Sequence, residues 1–155
     1  MPRSSRVLAI DPGYDRIGCA VMEKNKLLFS ECFVPEKGAF EERLLELHRH
    51  VSGLIRAYAP AAVALETLYF STNQKTAIRV AEARGVLVLA AAEGGIPLFE
   101  YSPQAVKIAV TGSGNAPKSG VIKMVPKIIP LPPGKHYDDE YDAIALAIAH
   151  LAQSR

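Results

Sequence analysis

The sequence has little cysteine and no long apolar segment. It contains two cysteines, Cys19 and Cys32, and neither has a partner histidine at the spacing of a zinc motif. We therefore expect two reduced thiols buried in strands, with no zinc site and no need for a disulfide. No window approaches the roughly 20 apolar residues of a membrane span, and the apolar run after the basic start is too short for a signal-peptide core. These absences predict a cytoplasmic protein with no membrane partner.

An excess of charge of either sign is also lacking. The 155 residues carry 18 Lys and Arg against 16 Asp and Glu, a net charge of +2. This small surplus permits a nucleic-acid partner but does not argue for one. With 49% hydrophobic residues the chain is neither disordered nor collagen-like. Its length predicts one domain over 1–155 and excludes large two-domain enzymes.

The hydrophobic pattern predicts an α/β fold with five strands, at 6–10, 17–22, 27–34, 61–68 and 96–101. The second and third strands flank a short polar turn, which favours an antiparallel hairpin. The later strands are separated by helices long enough for parallel crossovers. Helices are predicted at 40–58, 76–92, 103–110, from 117 onwards and at 138–152. The result is a mixed five-stranded sheet flanked by helices on both faces.

Four acids are predicted to converge at one end of this sheet. Asp11 ends the first strand, Glu66 lies near the end of the fourth, and Asp139 and Asp142 share one face of the last helix. A carboxylate in a buried strand needs a compensating cation. Mg²⁺ and Mn²⁺ are hard cations that take oxygen ligands. Two such ions about 4 Å apart would stabilise the attacking and leaving oxygens of a phosphodiester.

Each acid also has a simpler interpretation. Asp11 before Pro-Gly is typical of a turn aspartate. The acids near 138–142 lie in the first turn of a helix, where they offset the helix dipole. Glu66 inside an apolar strand has no comparable structural explanation. The convergence of three separate segments is what favours a functional site.

Several of these segments follow one another in the order of a known family. They are Leu8-Ala9-Ile10-Asp11-Pro12-Gly13, Ala64-Leu65-Glu66, Glu82-Ala83-Arg84-Gly85 and Asp139-Glu140-Tyr141-Asp142-Ala143. This ordered set, which extends from about residue 7 to residue 150, resembles the RuvC-type Holliday junction resolvases. The resemblance implies an RNase H-like fold. It also implies a metal-dependent endonuclease that cuts two opposed strands of a four-way DNA junction.

The resemblance further implies the site residues and the partners. The catalytic and metal-binding carboxylates would be Asp11, Glu66, Asp139 and Asp142. Lys107 and Lys118 match basic residues near the scissile phosphate, and Tyr69 matches a position that is commonly Phe and helps to open the junction centre. The cofactor would be Mg²⁺, for which Mn²⁺ may substitute, with two ions per site. The partners would be junction DNA, a second copy of the chain and a branch-migration complex.

Some alternatives stay open at this stage. The third metal ligand is Asp139 by best match, but its neighbour Asp138 and the nearby His136 compete, since some relatives carry His there. A small RNase H-like nuclease acting on RNA or RNA–DNA hybrids is the closest functional rival. Actin-like ATPases and sugar kinases share the Asp-Pro-Gly motif but need two domains of this type. A non-catalytic junction binder would have no need of four acids.

Overall fold

The computed structural model describes residues 5–13, 15–67 and 74–154, and a single five-stranded sheet organises them. The strands run in the spatial order β3-β2-β1-β4-β5. The first three pair antiparallel, whereas β4 pairs in parallel with both β1 and β5. This is the predicted mixed sheet. The strands are β1 (Arg6–Asp11), β2 (Ile17–Glu23), β3 (Lys26–Phe33), β4 (Ala62–Glu66) and β5 (Leu98–Tyr101).

Helices cover both faces of the sheet, as predicted. One face packs against α1 (Phe40–Tyr58) and α2 (Gln74–Glu93). The other packs against α3 (Pro103–Thr111), α4 (Lys118–Ile128) and α5 (Asp138–Gln153). Alternate residues of the central strands pack into the two cores, because successive side chains of a strand point to opposite faces of the sheet. In the part of the chain that the structure describes, no helix is long and apolar enough to cross a membrane.

The structure corrects several details of the sequence interpretation. The fifth strand begins at Leu98, because the Ile96 amide still donates to the Ala91 carbonyl and belongs to the turn that ends α2. Pro126 lies inside α4, near its C-terminal end. Cys19 is buried as expected, but Cys32 is only half-buried because it lies on the edge strand β3. Both cysteines are free thiols.

The last helix lies directly on the backbone of β2. Eight consecutive residues of α5, from Ala143 to His150, are buried. A Cβ atom added at Gly18 would overlap the carbonyl group of Asp139 and crowd the next amide nitrogen. Only glycine therefore allows the N-terminal turn of α5 to come this close to the sheet.

We expect Gly18→Ala to lower the free energy of unfolding by about 2 kcal/mol or more, because a backbone clash must be relieved by moving α5. Gly53→Ala is the matched control: it lies within α1, and an added Cβ meets no atom within 4 Å. That change should stabilise the protein by about 0.5–1 kcal/mol, as alanine does in a helix. Urea denaturation of both variants measures the difference. Equal stability of the two would show that α5 does not depend on Gly18.

Candidate active site

The fold brings the four predicted acids to the same end of the sheet. Asp11 is the last residue of β1 and Glu66 the last of β4, its parallel neighbour. Asp139 and Asp142 extend from the start of α5. One carboxylate oxygen from each of Asp11, Asp139 and Asp142 lies within 4.8 Å of the other two. Glu66 stands outside this triple, yet its charge acts on Asp11, and Asp142 acts on Glu66.

Of the three candidates for the third acid, Asp139 lies nearest the other acids of the site. Among the described residues, the close triple includes Asp139 and neither Asp138 nor His136. The two ring nitrogens of His136 lie 2.8 Å from a Glu140 carboxylate oxygen and 2.8 Å from the Pro132 carbonyl oxygen. The hydrogen bond to Pro132 and the contact with Glu140 outweigh burial and raise the pKa of His136. His136 thus connects the loop before α5 to the first turn of that helix. The geometry gives no support to His136 as a metal ligand.

The acids are hard to ionise together. Burial, followed by the charges of Asp142, Glu66 and Asp139, raises the pKa of the Asp11 carboxyl well above its ordinary value. Burial also raises the pKa of Glu66 and of Asp142. Lys118 opposes that rise at both acids, and Lys107 opposes it at Glu66. Like charges held close together in a poorly solvated site repel one another strongly. The arrangement is therefore one that a cation would relieve.

Two cations already contact the acids. Lys118 Nζ lies 3.1 Å from Asp142 Oδ2, and Arg16 Nε lies 2.6 Å from Asp139 Oδ2. Burial acts to lower the pKa of Lys118, but the hydrogen bond and the neighbouring acids outweigh it and raise the pKa. Sequence reasoning missed Arg16, because a charged residue between two strands gives no signal of which acid it faces.

The second predicted lysine faces the same site. Lys107 from α3 and Lys118 from α4 line a cleft of about 260 Å³ together with Glu66 and Asp142. The charges of both lysines lower the pKa of Glu66. The structure thus brings together all six predicted catalytic residues. Tyr69, the predicted DNA-contacting aromatic residue, lies outside the described residues, so its role stays a prediction.

The donor set fits a hard divalent cation. All four acids offer carboxylate oxygens, the ligands that Mg²⁺ and Mn²⁺ prefer. The raised pKa of Asp11 supplies a second reason, since bound positive charge would favour the ionised form. The acidic cluster can therefore hold a metal ion of this class.

The raised pKa of Asp11 leads to a prediction about the stability of the metal-free protein. A carboxyl whose pKa is higher in the folded than in the unfolded chain destabilises the fold once it ionises, so this destabilisation fades as pH falls through the folded pKa. Asp11→Asn removes the charge, and we expect a higher melting temperature than that of the unmutated protein at pH 7 without metal. The gap should narrow as the pH falls toward the ordinary carboxyl range.

The exposed Asp15, two residues beyond the Asp11-Pro12-Gly13 turn, provides the control substitution Asp15→Asn. It should leave the melting temperature nearly unchanged at every pH. Thermal denaturation in the presence of a chelator measures both variants. A lower melting temperature for Asp11→Asn at pH 7 would show that the Asp11 charge does not strain the fold.

Comparison with known proteins identifies the family. The family model described as crossover junction endodeoxyribonuclease RuvC matches residues 7–150. The enzyme of that name from Roseiflexus sp. (strain RS-1) is 41% identical over 152 residues, covering 95% of this chain and 90% of the relative. Its Thermotoga maritima counterpart is 38% identical over 157 residues, covering 98% and 94%.

A solved structure shows the same similarity in three dimensions. It is T. thermophilus RuvC in complex with Holliday junction substrate, with a TM-score of 0.90 and 32% sequence identity. The match covers 97% of this chain and 95% of that one. It confirms the RNase H-like sheet and its helical layers as the fold of this chain. The chain therefore belongs to the RuvC family of crossover junction endodeoxyribonucleases.

Proposed function

We propose that this protein resolves four-way DNA junctions by hydrolysing phosphodiester bonds at the acidic cluster. The observation that carries the proposal is the juxtaposition of Asp11, Asp139 and Asp142, with ligand atoms within 4.8 Å of one another beside two lysines. Family membership supports the substrate, because a relative with a TM-score of 0.90 is solved in complex with a Holliday junction.

In this proposal Asp11, Glu66, Asp139 and Asp142 hold Mg²⁺, or Mn²⁺ in its place, as two ions per site. The chemistry that Mg²⁺ supplies when bound is activation of water and stabilisation of charge on the phosphate. The fold contributes by fixing the acids on β1, β4 and α5, which leaves little freedom to lose when substrate binds. The apolar cores beneath them keep the carboxylates poorly solvated and so strengthen their hold on a cation.

The two lysines act on the phosphate in this proposal. In the structure Lys118 contacts Asp142, a partner that it would exchange for a phosphate oxygen when the acids hold metal. Lys107 lines the same cleft as Glu66, and its charge acts on that carboxylate. An ammonium group beside the bound phosphate would stabilise the negative charge that grows as the phosphodiester is attacked.

Cleavage and binding should separate in acid variants. Asp11→Asn and Glu66→Gln should lower the cleavage rate of a mobile four-way junction by several orders of magnitude. Junction affinity should stay within about tenfold, because phosphate contacts elsewhere supply most of it. The measurements are single-turnover cleavage with Mg²⁺ or Mn²⁺ and a gel-shift titration with a chelator. Asp15→Asn, an exposed acid near the site, should cleave normally.

The same assay tests the lysines and the substrate. Lys118→Ala and Lys107→Ala should lower the cleavage rate more than the affinity, since the charge they stabilise grows in the transition state. Equal losses of rate and affinity would mark both lysines as ordinary contacts to the DNA backbone.

Normal cleavage by Asp11→Asn would refute the metal site. Faster cleavage of an RNA–DNA hybrid than of the junction would favour the alternative of a hybrid-specific nuclease.

A homodimer belongs to the same proposal, because two opposed strands call for two identical sites. On α2, Ile78 is 56% exposed and Leu89 is 54% exposed. Gly85 lies on the same stripe and an added Cβ there would meet no atom within 4 Å. An apolar stripe of this kind with a gap at its centre suits close helix contact between two copies.

Light scattering should show a dimer for the unmutated protein and a monomer for Leu89→Glu. Val34→Glu is the matched control, because Val34 is 62% exposed but follows the edge strand β3 and is not part of α2. It should remain dimeric. A monomeric unmutated protein at assay concentration would exclude the dimer.

Two further proposals rest on family membership and on the DNA substrate alone. They are a branch-migration complex as partner and a location in the cytoplasm.

A further inference from the structure

A second group of potential ligands lies on the other face of the sheet. Cys19 of β2 and Glu31 of β3 are partners in the strand register, on the face that packs against α1. His50 of α1 reaches this pair, and its Nε2 contacts the Glu31 carboxylate. The Cys19 sulfur, a Glu31 carboxylate oxygen and a His50 ring nitrogen all lie within 4.8 Å of one another. The group thus meets the same distance limit as Asp11, Asp139 and Asp142.

The Cys19 thiol points into this group without a partner of its own. The residue is 0% exposed. In the described part of the chain, its sulfur takes part in no hydrogen bond, whereas the Cys32 sulfur lies 3.8 Å from Asp139 Oδ2 on the opposite face. Burial and the charge of Glu31 raise the pKa of the Cys19 thiol well above its ordinary value. A buried, protonated thiol of this kind is a poor nucleophile, so reactivity does not explain its position.

The donor set indicates which metal would fit. One thiol sulfur, one imidazole nitrogen and one carboxylate oxygen are ligands that Zn²⁺ accepts, with water as the fourth. Mg²⁺, by contrast, prefers oxygen ligands alone. Zinc–ligand bonds of about 2.0–2.3 Å place tetrahedral ligand atoms about 3.5 Å apart. Small shifts of the partly exposed Glu31 and His50 side chains would therefore bring the group to that size.

The neighbours of the group orient it. The His50 ring stacks on the Phe33 ring, with centroids 3.8 Å apart and planes 5° apart. This stacking fixes the plane of the imidazole and keeps its nitrogen directed at Glu31. Cys19 is held by the register of β2 with β3. Two of the three donors are thus preorganised, which lowers the entropy that metal binding must overcome.

From this geometry we infer that Cys19, Glu31 and His50 form a binding site for Zn²⁺ or a similar divalent transition metal. On binding, the Cys19 thiol releases its proton to solvent and the neutral imidazole of His50 displaces water from the ion. The bound ion would connect α1 to the β2–β3 hairpin. The site is separate from the acidic cluster. Asp11 lies on the face of the sheet that packs against α5, whereas Cys19 lies on the opposite face, which packs against α1.

Cobalt titration of the full chain tests the inference, with Asp11→Asn as background so that the acidic cluster binds metal less well. We expect one equivalent of Co²⁺ to produce the near-ultraviolet charge-transfer absorption of a cobalt–thiolate bond, and Zn²⁺ to displace it. Zn²⁺ should also raise the melting temperature. Cys32→Ser, the other cysteine, should keep the absorption. Cys19→Ser should abolish it.

The partly exposed ligands keep the test decisive if Cys19→Ser does not fold. His50→Ala and Glu31→Gln change side chains that reach solvent, and each should weaken Co²⁺ binding by at least about tenfold. An absent charge-transfer band in the background protein would mean an ion pair beside a thiol and no metal site, and would overturn the inference. A band lost in Cys32→Ser, or unchanged affinity in His50→Ala, would do the same.

Discussion

The contact between α5 and the backbone of β2 is the constraint on which the site depends. The buried run of α5, from Ala143 to His150, packs on the sheet, and Gly18 allows the first turn of α5 to reach the strand backbone. Behind that turn, Ser30 Oγ donates to the buried Glu140 carboxylate at 2.6 Å, and His136 contacts the same carboxylate. Asp139 and Asp142 extend from this fixed turn toward Asp11. The geometry of the acids is therefore a property of helix packing on a sheet.

The charges of the acidic cluster lower the stability of the fold. The same burial that would strengthen binding of a cation raises the pKa of Asp11 and makes its ionised form costly. Arg16 and Lys118 offset part of this cost through their contacts with Asp139 and Asp142. Both cations are substantially exposed, so solvent weakens their compensation. Packing of the apolar cores must therefore offset the free energy of unfolding that the acids of this site remove.

The sequence carries enough information for the sheet and the acids, because both depend on patterns local to each segment. The parallel direction of the later strands follows from crossover length, and Asp11 and Glu66 stand out at strand ends. Arg16 and the group around Cys19 could not be predicted in this way. Cys19, Glu31 and His50 come from three elements, and the spacing rules for zinc motifs detect ligands only when they are close in sequence.

The order of elements along the chain determines when this site can exist. Asp11 and Glu66 belong to strands formed early in the sequence, whereas α5 follows every other described element. During synthesis the sheet and the helices on the α1 face can associate while the acids of α5 are still being made. Such a partial fold carries two of the four carboxylates and no tight triple. With the four acids in the proposed catalytic role, cleavage therefore has to wait until α5 has docked on the sheet.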